Sequence, residues 1–171
     1  VDFYKKAKSS GIKPVLGCET YVTAGSMLER KSATGRTPMH HLVLLAENDA
    51  GYSNLIRLIS LASLEGFYYK PRVDKELLRK HSKGLIALSS CLKGEVASLC
   101  LANDLDGAVR VANEYSEIFG KNNFFLEVQD HGIPEQRIVN RGVLEVAKRT
   151  GLPLIATNDV HYLKKEHAEA H

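Results

Sequence analysis

The chain has 171 residues, 44% of them hydrophobic and 25% charged, enough for one domain with a real core. A net charge of +3 permits a nucleic-acid partner without requiring one. No apolar run approaches the roughly 18 residues of a membrane span, no signal-peptide pattern opens the chain, and three cysteines without CxxC spacing point to a reducing, cytoplasmic setting.

Residues 1–10 read as a helix ended by Gly11, with Phe3, Tyr4 and Ala7 on its apolar side and lysines opposite. Lys13-Pro14 then leads into Val15-Leu16-Gly17-Cys18, the start of a strand that continues through Val22. Glu19 lies inside that strand. A carboxylate there sits on a solvated face, in a salt bridge or on a cation, because burying it alone is costly. Residues 24–39 form a long polar loop with Gly25, Ser26, Ser32, Gly35 and Pro38 as its turn residues. His41 opens a second apolar strand, Leu42-Val43-Leu44-Leu45-Ala46. If this strand runs back beside the first, His41 comes to the same end as Glu19, while His40 points to the opposite face.

Asn48 and Asp49 are cap candidates for a helix over residues 51–63, whose apolar stripe is Leu55, Leu58, Ile59 and Ala62. The loop Glu65-Gly66-Phe67-Tyr68-Tyr69-Lys70-Pro71-Arg72 interleaves aromatic and basic groups. It either holds a nucleic-acid strand by stacking and phosphate contact or closes a rim of the fold by aromatic packing. Asp74 caps a short helix ending near His81, and the strand over residues 84–88 runs out at Ser89-Ser90-Cys91. A cysteine there is either a thiolate ligand or a small core residue. Helices follow over residues 94–102 and 105–119, then a strand over 123–129 that ends in Asp130-His131-Gly132. Pro134 starts a helix through about residue 149, with Ile138, Val139, Val143 and Val146 directed inward.

The apolar run Leu152 to Ala156 reads as a strand buried on both faces, stopping abruptly at Thr157-Asn158-Asp159. Residues two apart in extended backbone share a side, so Asp159 and His161 can reach one point. An Asn-Asp after a strand is equally an ordinary turn or cap. A new helical pattern starts at Lys164, and with Val at the first position the chain reads as an internal piece of a longer one. Strands alternating with helices predict an α/β fold with a mostly parallel sheet or barrel, whose strands end in polar groups at one rim.

Several of these stretches resemble the PHP (polymerase and histidinol phosphatase) domain of bacterial replicative DNA polymerase III alpha subunits. They are Ile12-Lys13-Pro14-Val15-Leu16-Gly17-Cys18-Glu19, His41-Leu42-Val43-Leu44-Leu45-Ala46-Glu47-Asn48, the stretch from Glu65 to Asp74, Gly84-Leu85-Ile86-Ala87-Leu88-Ser89-Ser90-Cys91, Leu126-Glu127-Val128-Gln129-Asp130-His131-Gly132 and Ala156-Thr157-Asn158-Asp159-Val160-His161-Tyr162. The resemblance covers essentially the whole chain in order. It implies one partial domain over residues 1–171, a distorted, TIM-barrel-like (β/α)7 PHP barrel lacking its first strands. The ligand positions it carries over are Glu19, His41, Cys91, Asp159 and His161, in a divalent metal cluster for which zinc is expected and manganese or iron is possible. The family's opening His-x-His and its later Asp-His are not in this sequence, so the cluster is incomplete here. His131 matches a recurrent residue of the polymerase branch with no ligand role to carry. The implied activity is that of a metal-dependent phosphoesterase or 3′–5′ proofreading exonuclease within a DNA-directed DNA polymerase, whose own catalytic aspartates lie elsewhere. DNA and other replicative polymerase subunits are the implied partners. An inactive scaffold for a separate proofreading subunit and a free-standing PHP phosphatase are the alternatives.

Overall fold

The computed structural model describes residues 2–30 and 38–170, so Ser32 and Gly35 of the long loop lie outside the described residues. Helix α1 (Asp2–Ser9) forms as expected, yet it buries none of its side chains, and Phe3 is 72% exposed. Strand β1 (Gly17–Thr23) is followed by β2 (Met39–Ala46) and α2 (Asp49–Leu64). Asn48 caps α2, its side chain accepting the Gly51 N–H. Leu55, Leu58 and Ala62 of α2 are buried, but Ile59, expected beside them, falls on the outer edge of the stripe and stays exposed.

The two-residue strand β3 (Arg72–Val73) arises inside what reads as loop, and Asp74 then caps α3 (Lys75–His81) through the Leu77 N–H. The remaining elements are β4 (Leu85–Leu88), α4 (Glu95–Leu101), α5 (Leu105–Phe119), β5 (Phe124–Val128), α6 (Pro134–Thr150), β6 (Leu154–Ala156) and a 3-10 turn at Lys165–Ala170. Helix α6 begins at its proline and ends on Gly151 in the left-handed region, where glycine carries no Cβ penalty. Ile138, expected inward, is exposed. No helix among the described residues is long and apolar enough to cross a membrane.

The six strands form one sheet in the order β3-β1-β2-β4-β5-β6. β1–β3, β4–β5 and β5–β6 pair in parallel, while β2 runs antiparallel to both β1 and β4. Five strands therefore share a direction and β2 alone is reversed. Among the described residues the sheet is open, with β3 and β6 at its edges. Position at the edge explains why β6 departs from the expected burial on both faces: Leu154 is 42% exposed.

Strand alternation sorts the rest. Val22, Leu42, Leu44, Leu85, Ala87, Phe124 and Leu126 join Leu55, Leu58, Ala112, Val139 and Val143 of the helices in one core. Tyr21, His41, Val43 and Phe125, at the intervening positions, are only partly buried. That second face carries the chemistry.

Candidate metal centre

β1 and β2 pair with Tyr21 opposite His41 and Glu19 opposite Val43. Glu19 and His41 therefore stand diagonally on one face, and His41 Nδ1 lies 2.8 Å from Glu19 Oε1. Because β2 is reversed, its opening residues sit beside the carboxyl ends of the neighbouring strands. Glu19 itself lies inside β1, where the sequence pattern places it. The Tyr21 ring meets His41 edge to face at 5.0 Å, fixing the imidazole from below.

The third group arrives on the loop after β4. The His41 N–H donates to the Lys93 carbonyl at 3.0 Å, and the Gly94 N–H to the Cys91 carbonyl at 2.8 Å. A Cβ on Gly94 would lie 2.0 Å from the Ser89 carbonyl oxygen, so only glycine lets this loop double back so tightly. Cys91 Sγ thereby comes to 3.7 Å from His41 Nδ1. One donor atom each from Glu19, His41 and Cys91 lies within 4.8 Å of the other two.

Burial pushes the His41 imidazole below its ordinary value, against the upward pull of the Glu19 and Asp159 carboxylates; Lys93 and His40 push it further down. The neutral ring that results is the form that binds metal.

Asp159 shares a cavity of about 220 Å³ with Glu19 and Cys91, lined also by Glu127, Gln129 and Thr157. His161 lies outside it. It faces a neighbouring cavity of about 480 Å³ with His131, Asp159 and Tyr162, its Nδ1 3.8 Å from Asp159 Oδ1. His131 is held by Gln136, which accepts its backbone N–H at 2.8 Å, and its Nε2 lies 3.2 Å from the Asp159 amide nitrogen. Of the five candidate ligands, Glu19, His41 and Cys91 gather closely, Asp159 lines the cavity that Glu19 and Cys91 line, and His161 stands at the adjoining one.

Sequence reasoning missed Glu127. It is 6% exposed at the next-to-last position of β5 and accepts from the Ser90 N–H at 2.9 Å, from Gln129 Nε2 at 2.9 Å and from the Thr157 hydroxyl. The available signal was the one that singles out Glu19, a carboxylate inside an otherwise apolar strand.

The donor set fits a transition-metal ion. Zinc–ligand distances of about 2.0–2.3 Å put tetrahedral donors about 3.3–3.8 Å apart. The Cys91–His41 separation lies in that range, and the Glu19–His41 hydrogen bond is what a cation would replace. A thiolate with an imidazole and a carboxylate favours zinc over magnesium or calcium. At the cavity, the buried Ser90 Oγ and Gln129 Oε1 have no hydrogen-bond partner among the described residues.

Comparison with known proteins matches the PHP domain family model to residues 1–131. The chain is 51% identical over 172 residues to a DNA polymerase III subunit alpha of Thermus aquaticus, covering 100% of this chain and 14% of that protein. It is 45% identical over 174 residues to the subunit of the same name from Aquifex aeolicus, covering 99% and 15% respectively. For the one from Treponema pallidum it is 46% over 168 residues, covering 98% and 14%. The chain thus spans only about a seventh of these relatives' length. Residues 1–131 include Glu19, His41 and Cys91, and on that match the chain belongs to the PHP domain family.

Proposed function

We propose that this chain is the PHP portion of a replicative DNA polymerase of the DNA polymerase III alpha kind, and that its site is a metal-dependent phosphoesterase centre acting on the 3′ end of DNA. The single observation that carries the reading is the convergence of Glu19, His41 and Cys91 from three separate segments within 4.8 Å. Packing gives no reason to bring a carboxylate, an imidazole and a thiol together on the sheet face away from the core.

In this reading Glu19, His41 and Cys91 hold a divalent ion, with Asp159 and His161 extending the set toward the larger cavity. The (β/α)7 barrel is the architecture in which the open sheet face becomes the interior, and the domain runs to the end of the chain. A bound zinc, manganese or iron ion would supply positive charge to polarise a phosphodiester and to lower the pKa of water. The chain's own residues do the rest. Tyr21 and Glu19 orient His41, burial keeps its ring neutral, and His131 and His161 border the cavity in which a strand end would lie.

The test is release of nucleotides from a single-stranded 3′ end by the full-length polymerase that contains this chain. Metal-dependent release that falls at least tenfold with Asp159→Asn supports the proposal. Undiminished release, or none with any of the three metals, favours a scaffold role instead.

A further inference from the structure

We propose that Glu127 is a positioning residue for this centre, a buried clamp that holds the Cys91 loop and the Asp159 strand end in register. The inference rests on the metal-centre reading above. Glu127 is almost fully buried and makes no ion pair among the described residues. A carboxylate in that setting persists only if donors surround it. Its donors come from two places. Oε2 takes the Ser90 N–H, one residue before Cys91; Oε1 takes Gln129 Nε2 and the hydroxyl of Thr157, two residues before Asp159. The Glu127 N–H in turn donates to Ser89 Oγ at 2.8 Å, so the carboxylate and its own backbone grip the same loop.

Two details show that this grip is needed. Ser90 holds φ at +67°, a left-handed conformation disfavoured for a side chain, and its N–H can only donate. A charged acceptor beneath it stabilises that turn and hence the place of Cys91. Gln129 is the second. A carboxylate can only accept, so the Gln129 amide must turn Nε2 toward Glu127, which leaves Oε1 buried beside the cavity with no partner among the described residues. Glu127→Leu keeps an apolar side chain of similar bulk and removes the acceptor of the Ser90 N–H, of Gln129 Nε2 and of the Thr157 hydroxyl together, releasing both segments.

The experiment measures zinc affinity of the full-length polymerase that contains this chain by competition with a chromophoric chelator, together with backbone amide exchange of the metal-free protein followed by mass spectrometry. Glu127→Leu should weaken zinc binding at this centre about 10–100-fold, the range seen when groups behind metal ligands are removed. It should also speed exchange around Ser90 while β1–β2 amides stay protected. Thr157→Val should weaken binding less, Thr157→Ser should retain it, and the double Glu127→Leu, Thr157→Val variant should bind no worse than Glu127→Leu alone. Additive losses, or wild-type zinc affinity in a folded Glu127→Leu protein, would overturn the proposal. If Glu127→Leu does not fold, the contrast between Thr157→Val and Thr157→Ser decides; equal affinities overturn the clamp. Failure of the wild-type protein to bind zinc overturns the metal reading instead. Unchanged exchange around Ser90 in Glu127→Leu then still rejects the clamp.

Discussion

Replacing Arg72 by methionine separates two meanings of the aromatic and basic loop. In sequence, Arg72 is a candidate phosphate contact. In the structure it is 2% exposed, the largest fully buried side chain, with Nε donating to the Gly66 carbonyl at 3.0 Å and Nη2 to the Met27 carbonyl at 2.6 Å. Its guanidinium lies 5.2 Å over the Tyr68 ring. Each charged hydrogen bond contributes about 1.5–3 kcal/mol, and methionine keeps the bulk while leaving both carbonyls without a donor. Relief from burying the guanidinium offsets part of that loss, leaving about 3 kcal/mol net. At about 2–4 °C per kcal/mol for a chain of this size, Arg72→Met should melt about 6–12 °C lower. Circular dichroism gives the melting curve, and fluorescence anisotropy with a labelled single-stranded oligonucleotide reports binding below the transition. The expected result is lost stability with unchanged oligonucleotide affinity. Wild-type melting, or weakened binding by a chain of undiminished stability, would refute the assignment of Arg72 to the fold.

Three further outcomes follow from the packing. Gly51→Ala usually strengthens a helix, but here the new Cβ would lie 1.7 Å from the Gly84 carbonyl oxygen; urea denaturation should show a loss of about 2–3 kcal/mol. Cys100, 4% exposed, has its thiol pushed up to about 11 by burial, so iodoacetamide at pH 8 should spare it until the chain is unfolded, as peptide mass mapping would show. Burial alone would raise the Glu114 carboxyl, yet hydrogen bonds from Lys75 and Arg79 hold it below the usual 4.5. A depressed carboxyl contributes stability above its ordinary value and loses it as pH falls through the lower folded value. Glu114→Gln should therefore flatten the acid limb of a stability–pH profile below pH 4.5 and lower stability at neutral pH.

Where one physical signal dominated, the sequence was enough. Periodicity and caps located α2 behind Asn48, α3 behind Asp74 and α6 behind Pro134. The sequence left the return of β2 beside β1 as a condition for bringing His41 to Glu19, and the antiparallel pairing meets it. Long-range partners were not legible. Nothing local tells that Arg72 finds the Gly66 and Met27 carbonyls and becomes a short strand beside β1. Nor does local pattern show that β6 is an edge strand, or which outer residues of an apolar stripe, such as Ile59 and Ile138, stay exposed. Glu127 escaped for the same reason: apart from Gln129, two residues on, its donors lie on two other segments, and only the assembled sheet brings Ser90 and Thr157 to it.

Cobalt(II) substitution shows whether Glu19, His41 and Cys91 bind one metal ion. Thiolate bound to cobalt gives a sulfur-to-metal charge-transfer band in the near ultraviolet, and the chain has only Cys18, Cys91 and Cys100 to supply it. Titrating cobalt(II) into the wild-type chain, and into Cys91→Ser, Cys18→Ser and Cys100→Ala variants, isolates the source of the band. With Cys91 as the thiolate ligand, a saturable band persists in the Cys18 and Cys100 variants and disappears in Cys91→Ser. A band that survives Cys91→Ser, or no band in the folded wild-type chain, would contradict it.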